Sequence, residues 1–467
     1  MRYVKTALPV LLGLAVSGSM LYRGVPEKTA AMALVVIWMA GWWITEAVHL
    51  AVTALLPLLL YPLLGIMDMK DCSQQYMEQT IFLFMGGFFI GFALQKWDLH
   101  HWFSGRLIRF TGHTPGRLLL GVMVSSFFLS MWISNTAATL LLLSVVSGFC
   151  HPGRPGLNTA LLLGLTYAAT IGGMASLVGS PTNLVLPAFY DQTMPDNAGI
   201  TFSRWLGVGF PFALILLVGC WGLLYFLFLR QQKTEIIATA SRVILGANQR
   251  RVLSLFLLTA LLWIFRSPID LGFYQIRGWA ETLTYGEYIK DSTIAIGVSL
   301  LMFLWPAKST CGNLLEWQDV EKLPLDVLLL FGGGFALSAG FQESGLNAWL
   351  GTHLTGISGL PFPVFILLIA LFTTVLSEFA SNVATVQLVL PIVYPLAISG
   401  KEDPFYVLMA VSLASSFGFM MPIATAPNTL VYSTGWIRNR DMIRAGIGIN
   451  GMAIGWLVVW IWWLGSK

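Results

Sequence analysis

Apolar runs follow one another along nearly the whole chain. They lie at 6–22, 29–48, 50–66, 79–97, 158–190, 205–230, 250–266, 289–305, 325–342, 404–433 and 443–464. Most are long enough for a helix of about 20 residues, the length that crosses a bilayer. The pattern predicts an all-α polytopic membrane protein with about eleven transmembrane helices. Two further apolar stretches, 116–149 and 361–399, are interrupted at their middle by small polar residues. Each predicts two short helices joined by a turn, a re-entrant hairpin that does not cross. The first run, Ala7 to Leu21, has no small-residue cleavage site ahead of a soluble domain. It predicts a first span rather than a removable leader.

Composition sharpens this picture. The chain has 467 residues, of which 56% are hydrophobic and only 10% charged, with a mean hydropathy of +0.75. Soluble domains carry about 25% charged residues. So few charges cannot cover a soluble protein of this size, so most of the surface must face lipid. The 18 Trp suit the membrane interfaces. The net charge of +4 reflects Lys and Arg flanking the spans and implies no nucleic-acid partner. Cys72, Cys150, Cys220 and Cys311 lie far apart, without CxxC spacing, and are expected to be isolated thiols.

Charge also sets an expected orientation. The longest polar linker, Gln231 to Arg251, holds Lys233, Arg242, Arg250 and Arg251. With the N-terminus inside and both hairpins returning, 17 of the 26 Lys and Arg fall on the inner side. The positive-inside rule supports that choice. The chain is therefore expected in the cell (inner) membrane, with a cytoplasmic N-terminus and an outer C-terminus.

The strongest signal is a self-match at an offset of 247. Phe84-Met85-Gly86-Gly87-Phe88 matches Phe331-Gly332-Gly333-Gly334-Phe335, and Gln95, Leu99 and Trp102 match Gln342, Leu346 and Trp349. Ser130 falls on Ser377, and Ser134-Asn135-Thr136-Ala137 falls on Ser381-Asn382-Val383-Ala384. At offset 245, Gly179-Ser180-Pro181-Thr182-Asn183 falls on Ala424-Thr425-Ala426-Pro427-Asn428. Five predicted crossings separate the start of one copy from the start of the other. An odd number turns the second copy upside down. Inverted repeats of this kind place a binding site near the bilayer midplane, at the repeat interface.

The paired motifs occupy chemically special places. Ser134-Asn135-Thr136 and Ser381-Asn382-Val383 sit at the two hairpin tips. Non-helical backbone at membrane depth is tolerated only where it is buried in protein or lines a cavity. A helix N-terminus offers free N–H groups to an anion. Backbone carbonyls and Ser or Asn oxygens are hard ligands for a small cation. Pro181 and Pro427 break the fifth and tenth spans and free further carbonyls. One Ser-Asn-Thr in a membrane helix is more often a packing polar. Two matched copies, each beside a broken helix, point instead to a transport site.

Other polar residues carry less. Glu378, just ahead of the second tip, fits either a cation site or an interior hydrogen-bonding role. Glu46 and His49 follow Trp42-Trp43 at a span end and are expected at the interface. Gly86-Gly87 and Gly332-Gly333-Gly334 lack the strand context of a phosphate loop and predict close helix packing. His100-His101 has no partner ligands at metal spacing and is expected on the surface. No span holds a paired-Asp, Ser/His or His-cluster arrangement, which excludes a membrane-embedded enzyme. No ring of mid-span Arg or Lys suggests an anion channel.

On these motifs the chain resembles the divalent anion/Na⁺ symporter family, the dicarboxylate, citrate and sulfate carriers. The resemblance covers nearly the whole chain. It implies a homodimer with a fixed scaffold and a moving transport domain, and elevator-type alternating access. It implies one Na⁺ site at Ser130, Ser134, Asn135 and Gly179. A second would use Ser377, Ala380, Asn382 and Ala424, partly through backbone carbonyls. The anion would meet Asn135, Thr136, Asn382 and Val383, with Thr425 nearby. Val383 stands where the family often has Thr, and each break has one proline where the family often has a Pro-Pro pair.

The expected organisation is scaffold helices at 1–78, a first repeat at 79–230, a linker with two scaffold helices at 231–324, and the second repeat at 325–467. The expected activity is Na⁺-coupled symport of a small dianion, a C4-dicarboxylate such as succinate, fumarate or malate. A Na⁺-independent dicarboxylate exchanger, or a sulfate or citrate carrier on the same fold, is the alternative.

Overall fold

The computed structural model describes residues 2–99, 102, 114–194, 199–230, 245–270, 275–308, 312–321, 323–353, 360–400 and 402–466. His100-His101, Cys311 and residues 231–244 of the basic linker lie outside these. Helices dominate. α1 (Arg2–Tyr22) and α2 (Glu27–Thr45) pack together, with Gly41 set directly against Pro9. The expected third span is two short pieces, Leu50–Thr53 and Leu56–Leu63. Pro57 has no N–H to continue the first piece, so the helix restarts there.

A short helix (Met69–Gln74) and a 3₁₀ turn (Gln75–Met77) lead into α3 (Gln79–Lys96). The Glu78 carboxylate caps α3 by accepting from Thr80 N at 2.6 Å. α4 (Pro115–Ser130) and α5 (Asn135–Ser147) form the first hairpin. α6 (Pro155–Ala175) and α7 (Pro181–Thr193) are one expected span, broken over 176–180. Pro155 and Pro181 each sit in a first helical turn, where a missing N–H costs nothing. α8 (Phe202–Leu224) follows, then α9 (Ala247–Ile264) and α10 (Asp291–Leu304). Asp291 ties these three helices together. Its Oδ2 accepts from Phe202 N at 2.9 Å, and its Oδ1 accepts from Arg266 Nε at 2.5 Å.

The second half repeats the order of the first. α11 (Leu325–Glu343) matches α3, and α12 (Phe362–Phe379) with α13 (Asn382–Ser399) forms the second hairpin. α14 (Pro404–Ala414) and α15 (Ala426–Tyr432) form the second broken helix, and α16 (Asn439–Gly465) closes the chain.

Among the described residues, nine helices are long and apolar enough to cross a membrane. That number differs from the expected eleven spans for physical reasons. The 50–66 and 404–433 runs are broken, and α10 has only 14 residues. α9 opens with Asn248-Gln249-Arg250-Arg251, which shortens its apolar part. Conversely, the nine include both arms of the second hairpin, each 18 residues long. These arms pack on each other across the Ala380-Ser381 turn.

The broken helices form the centre. Every residue of α6 from Leu157 to Ala175 is buried, as is nearly all of α14. A helix apolar on all sides belongs in the interior. Outer helices such as α1 and α12 leave Leu8, Leu11, Phe372 and Val375 exposed, a surface suited to lipid.

Lipid tails are as apolar as leucine, so helices associate through close packing rather than a hydrophobic drive. The glycine runs serve this purpose. A Cβ on Gly86 of α3 would stand 2.6 Å from Ala295 Cβ of α10, and one on Gly333 of α11 would stand 2.5 Å from Ala54 O. Gly86→Ala is expected to cost about 1–3 kcal/mol through overpacking, seen as a lower melting temperature of the detergent-solubilised protein. Gly297→Ala, in α10 with open space at its Cβ position, is the control and should leave melting unchanged or raised. Equal melting of the two variants would disprove the contact.

Candidate functional site

The first tip is the turn between α4 and α5. Ser134 is the N-cap of α5, and its Oγ accepts from Ala137 N at 3.3 Å. One end of the Asn135 amide faces three oxygens: Ser130 Oγ at 2.6 Å, Ala169 O at 3.2 Å and Gly179 O at 3.3 Å. Hydrogen bonding favours the orientation with Nδ2 on this side, where its two hydrogens are shared among the three acceptors. With Oδ1 turned there, the Ser130 hydroxyl donates to it, and the Ala169 and Gly179 carbonyls face it with no hydrogen between them, an oxygen cluster that suits a cation. Gly179 lacks a side chain for a reason visible here. A Cβ on it would lie 2.7 Å from Gly173 O and 2.8 Å from Ser130 O.

The break beside this tip is held by one side chain. Asn183 Nδ2 donates to Gly173 O at 2.8 Å and to Ser176 O at 2.7 Å. Ser176 Oγ in turn donates to the Met131 carbonyl, joining break to tip.

The second tip repeats this geometry. Ser377 Oγ meets Asn382 Oδ1 at 2.8 Å and also the Ser415 carbonyl. One hydroxyl proton serves only one of the two acceptors, so this oxygen cluster also suits a cation. Asn428 Nδ2 donates to Gly418 O at 2.9 Å and to Met421 O at 3.1 Å. These acceptors lie at the same chain separations as those of Asn183. Gly418 faces the second cluster, since its Cβ would lie 3.3 Å from both Ala424 Cβ and Thr425 Cγ2 and 3.6 Å from Asn382 Oδ1. Thr425 Oγ1 caps α15 by accepting from Asn428 N at 3.2 Å.

The two halves interlock crosswise. α5 packs against α15 of the other half, and α13 packs against α7. Thr166 Oγ1 donates to Asn428 Oδ1 at 2.8 Å, and Thr182 Oγ1 lies 3.0 Å from Ser416 Oγ. This arrangement sets the two tips beside each other's breaks.

Most expected residues are brought together. Ser130, Asn135 and Gly179 form one cluster, and Ser377 and Asn382 form the other with Ala424 alongside. Ser134 Oγ accepts the α5 cap hydrogen bond and keeps a second lone pair. Ala380, extended at φ −126°, ends α12 and donates its N–H to Leu376 O at 2.9 Å. Thr136 is exposed on the first turn of α5, and Val383 is half-buried among apolar neighbours. Sequence reasoning missed the carbonyl oxygens of Ala169, beside Asn135, and Ser415, beside Ser377. Main-chain oxygens leave no residue-type signal.

Glu378 takes the interior role. It is buried, and its Oε1 accepts from Met420 N at 2.8 Å and Asn450 Nδ2 at 2.7 Å. Its Oε2 accepts from Met421 N at 3.1 Å. Its counterpart in the first half is Met131, whose carbonyl takes Ser176 Oγ. The same tie between tip and break is thus made by a side chain in one half and by main chain in the other. Among the described residues no three His, Cys, Asp or Glu gather as a metal site. The donors at both tips are neutral oxygens, which suit a hard monovalent cation. A cavity of about 120 Å³ runs beside the first tip, lined by Phe88, Gln95, Trp132, Ser134, Gly179 and Pro181 among others.

This arrangement can be set beside known proteins. The profile of the sodium:sulfate symporter transmembrane region matches residues 2–465. The chain is 33% identical over 460 residues to the sodium-dependent dicarboxylate transporter SdcS of Staphylococcus saprophyticus, covering 94% of this chain and 86% of that protein. It is 32% identical over 450 residues to SdcS of Staphylococcus aureus, covering 92% and 84%. Two solved structures share the fold. The YdaH transporter of Alcanivorax borkumensis superposes with a TM-score of 0.56 at 16% identity, over 83% of this chain and 85% of that one. MtrF of Neisseria gonorrhoeae, described with a class of antimetabolite efflux pumps, gives 0.56 at 12% identity, over 84% and 82%. The whole-length profile match and the curated relatives agree: the chain belongs to the sodium:sulfate symporter family.

Proposed function

We propose that this protein is a Na⁺-coupled symporter for a C4-dicarboxylate such as succinate, fumarate or malate. The family is one of transporters, not enzymes. The observation that carries the reading is the pair of matched oxygen clusters, Ser130–Asn135 and Ser377–Asn382, each beside a helix break. The relatives named as sodium-dependent dicarboxylate transporters support the choice of cation and anion.

One sodium ion is held by Ser130, Ser134, Asn135 and the Gly179 carbonyl. The other is held by Ser377, Asn382 and the carbonyls of Ala380, Ser415 and Ala424. Without sodium, the Asn135 amide nitrogen satisfies the oxygens around it. When sodium enters, the amide turns its Oδ1 inward, and the tip becomes ordered around the ion. The dianion then sits between the tips. It accepts hydrogen bonds from the Asn135 and Asn382 amides, the Thr136 and Thr425 hydroxyls and the N-terminal N–H groups of α5 and α13. Val383 borders it as an apolar wall.

The two halves are inverted repeats in this reading, and the hairpins and broken helices move as one body against a scaffold in an elevator cycle. The protein works as a homodimer in the cell membrane, with the N-terminus in the cytoplasm. A Na⁺-independent exchanger, or a sulfate or citrate carrier, is the second reading. It is favoured by Val383, which removes a hydroxyl from the anion shell.

Radiolabelled succinate uptake into proteoliposomes tests the proposal. Uptake is expected with an inward Na⁺ gradient and not with K⁺ in its place. Asn135→Ala and Asn382→Ala should each lower it by about tenfold or more, the scale of a lost hydrogen bond to a charged group. Uptake that ignores Na⁺ but requires internal dicarboxylate would establish exchange instead. A second prediction concerns selectivity. Val383→Thr is expected to lower the KM for succinate by about threefold to tenfold, the scale of one neutral hydrogen bond. If Val383→Thr leaves succinate unchanged while sulfate or citrate competes fully in the parent, the dicarboxylate assignment fails.

A further inference from the structure

The last turn of α7 is gripped by three glutamines from other segments. Gln192 Nε2 donates to Gln75 Oε1 at 2.8 Å, Gln79 Nε2 donates to Asp191 Oδ2 at 3.3 Å, and Gln342 Nε2 donates to the Gln192 carbonyl at 3.3 Å. Gln75 and Gln79 precede and begin α3, and Gln342 lies in the last turn of α11. The grip therefore joins the end of the first broken helix to helices outside the hairpin and broken-helix core.

Gln342 has a counterpart at offset 247, Gln95 in the last turn of α3. The Gln95 side chain makes no hydrogen bond to the described residues and lines the cavity beside the first tip. Two matched amides, one engaged and one without a partner among the described residues, fit a two-state device with related halves. The rest of the grip does not recur. Gln75, Gln79 and Asp191 fall on Lys322, Asp326 and Trp436. Only the Gln342 contact can be repeated, because its acceptor is a main-chain carbonyl that any residue supplies. At offset 245, Gln192 falls on Ile437, just beyond α15.

We infer that Gln342 and Gln95 are alternating latches of the transport cycle. Gln342 holds the Gln192 carbonyl in the arrangement described here, and Gln95 holds the Ile437 carbonyl in the opposite one. The inference rests on the alternating-access reading above. In the expected orientation, Gln342 lies toward the outer face and Gln95 toward the cytoplasm. The arrangement described here is thus latched at the outer end, beside an open cavity of about 730 Å³ that Gln75, Gln192 and Gln342 help to line, while Gln95 lines the cavity of about 120 Å³ at the first tip. Opening toward the outside requires Gln342 to let go, and closing the inner side gives Gln95 its partner.

The test uses two double-cysteine variants of the full chain, with the four native cysteines replaced by serine. One carries Gln75→Cys with Gln192→Cys, and the other carries Gln95→Cys with Ile437→Cys. Both are reconstituted in liposomes and treated with a short bifunctional maleimide. Each pair is expected to cross-link, the second more slowly because its arrangement is less populated. Adding Gln342→Ala removes one neutral hydrogen bond from the present arrangement. It should speed cross-linking of the second pair by about threefold to tenfold without speeding that of the first. A merely structural lesion would not produce this selective acceleration. No change or a slower rate at the second pair overturns the Gln342 latch. Failure of the second pair to cross-link while the first does overturns the Gln95 partner. Succinate uptake by the cysteine-free parent is measured alongside. Cross-linking as expected without uptake sinks the substrate assignment and leaves the latch standing. Uptake with unmoved cross-linking rates sinks the latch alone.

Discussion

Two side chains, Asn183 and Asn428, hold the positions on which the rest of the molecule depends. A helix that stops inside a membrane protein leaves main-chain carbonyls and N–H groups that hydrocarbon cannot solvate. α6 and α14 both stop in the buried centre. In each case one asparagine amide donates both its hydrogens to carbonyls ten and seven residues before it, at the end of α6 in the first half and within the break itself in the second. With those carbonyls tied, the Gly179 and Ala424 backbones are placed against the tips. Without the clamps, the break would have no fixed shape and the oxygens around Asn135 and Asn382 no common centre.

The clamps are equal in the two halves, but their surroundings are not. In the first half, a serine hydroxyl and a main-chain carbonyl join break to tip. In the second, the Glu378 carboxylate does so, with Asn450 of α16 recruited as a further donor. Taking a carboxylate out of water is costly unless it is well hydrogen-bonded. Two main-chain N–H groups and an amide supply those bonds. Val383 against Thr136 is the other difference at the tips. The two halves thus differ at Val383 against Thr136 and at one tie, while the Ser130–Asn135 and Ser377–Asn382 contacts are alike.

Much of this was legible in the sequence because it is local or repeated. The apolar runs gave the helices, the interruptions gave the hairpins, and the two offsets located both tips and both breaks. The glycine runs were rightly expected to mark close packing, as Gly86 against Ala295 shows. What escaped was set by partners distant in the chain or by main chain. The crosswise seating of α5 on α15 and of α13 on α7 has no signature within either segment. Ser415 contributes through its carbonyl, and nothing about a serine announces that. The 50–66 run looked like one span because hydropathy is blind to Pro57. Glu378 looked equally suited to an ion or to the interior, and only the positions of Met420, Met421 and Asn450 decide the matter.

The charge content of the site bears on how a dianion could reside there. The four segments that build it, 130–137, 176–183, 377–384 and 415–428, contain no Lys, Arg or His, and Glu378 is their one charged residue. Hydroxyls, amides and helix N-termini offer dipoles and only partial positive charge. Those dipoles orient a carboxylate, yet they do not neutralise two full charges away from water. In the proposed cycle the missing positive charge arrives with the sodium ions. The anion then binds well only to a loaded site, and the loaded site is nearer to neutral when it moves. Coupling would follow from this electrostatic shortfall, because a basic residue at either tip would let the anion bind without its ions.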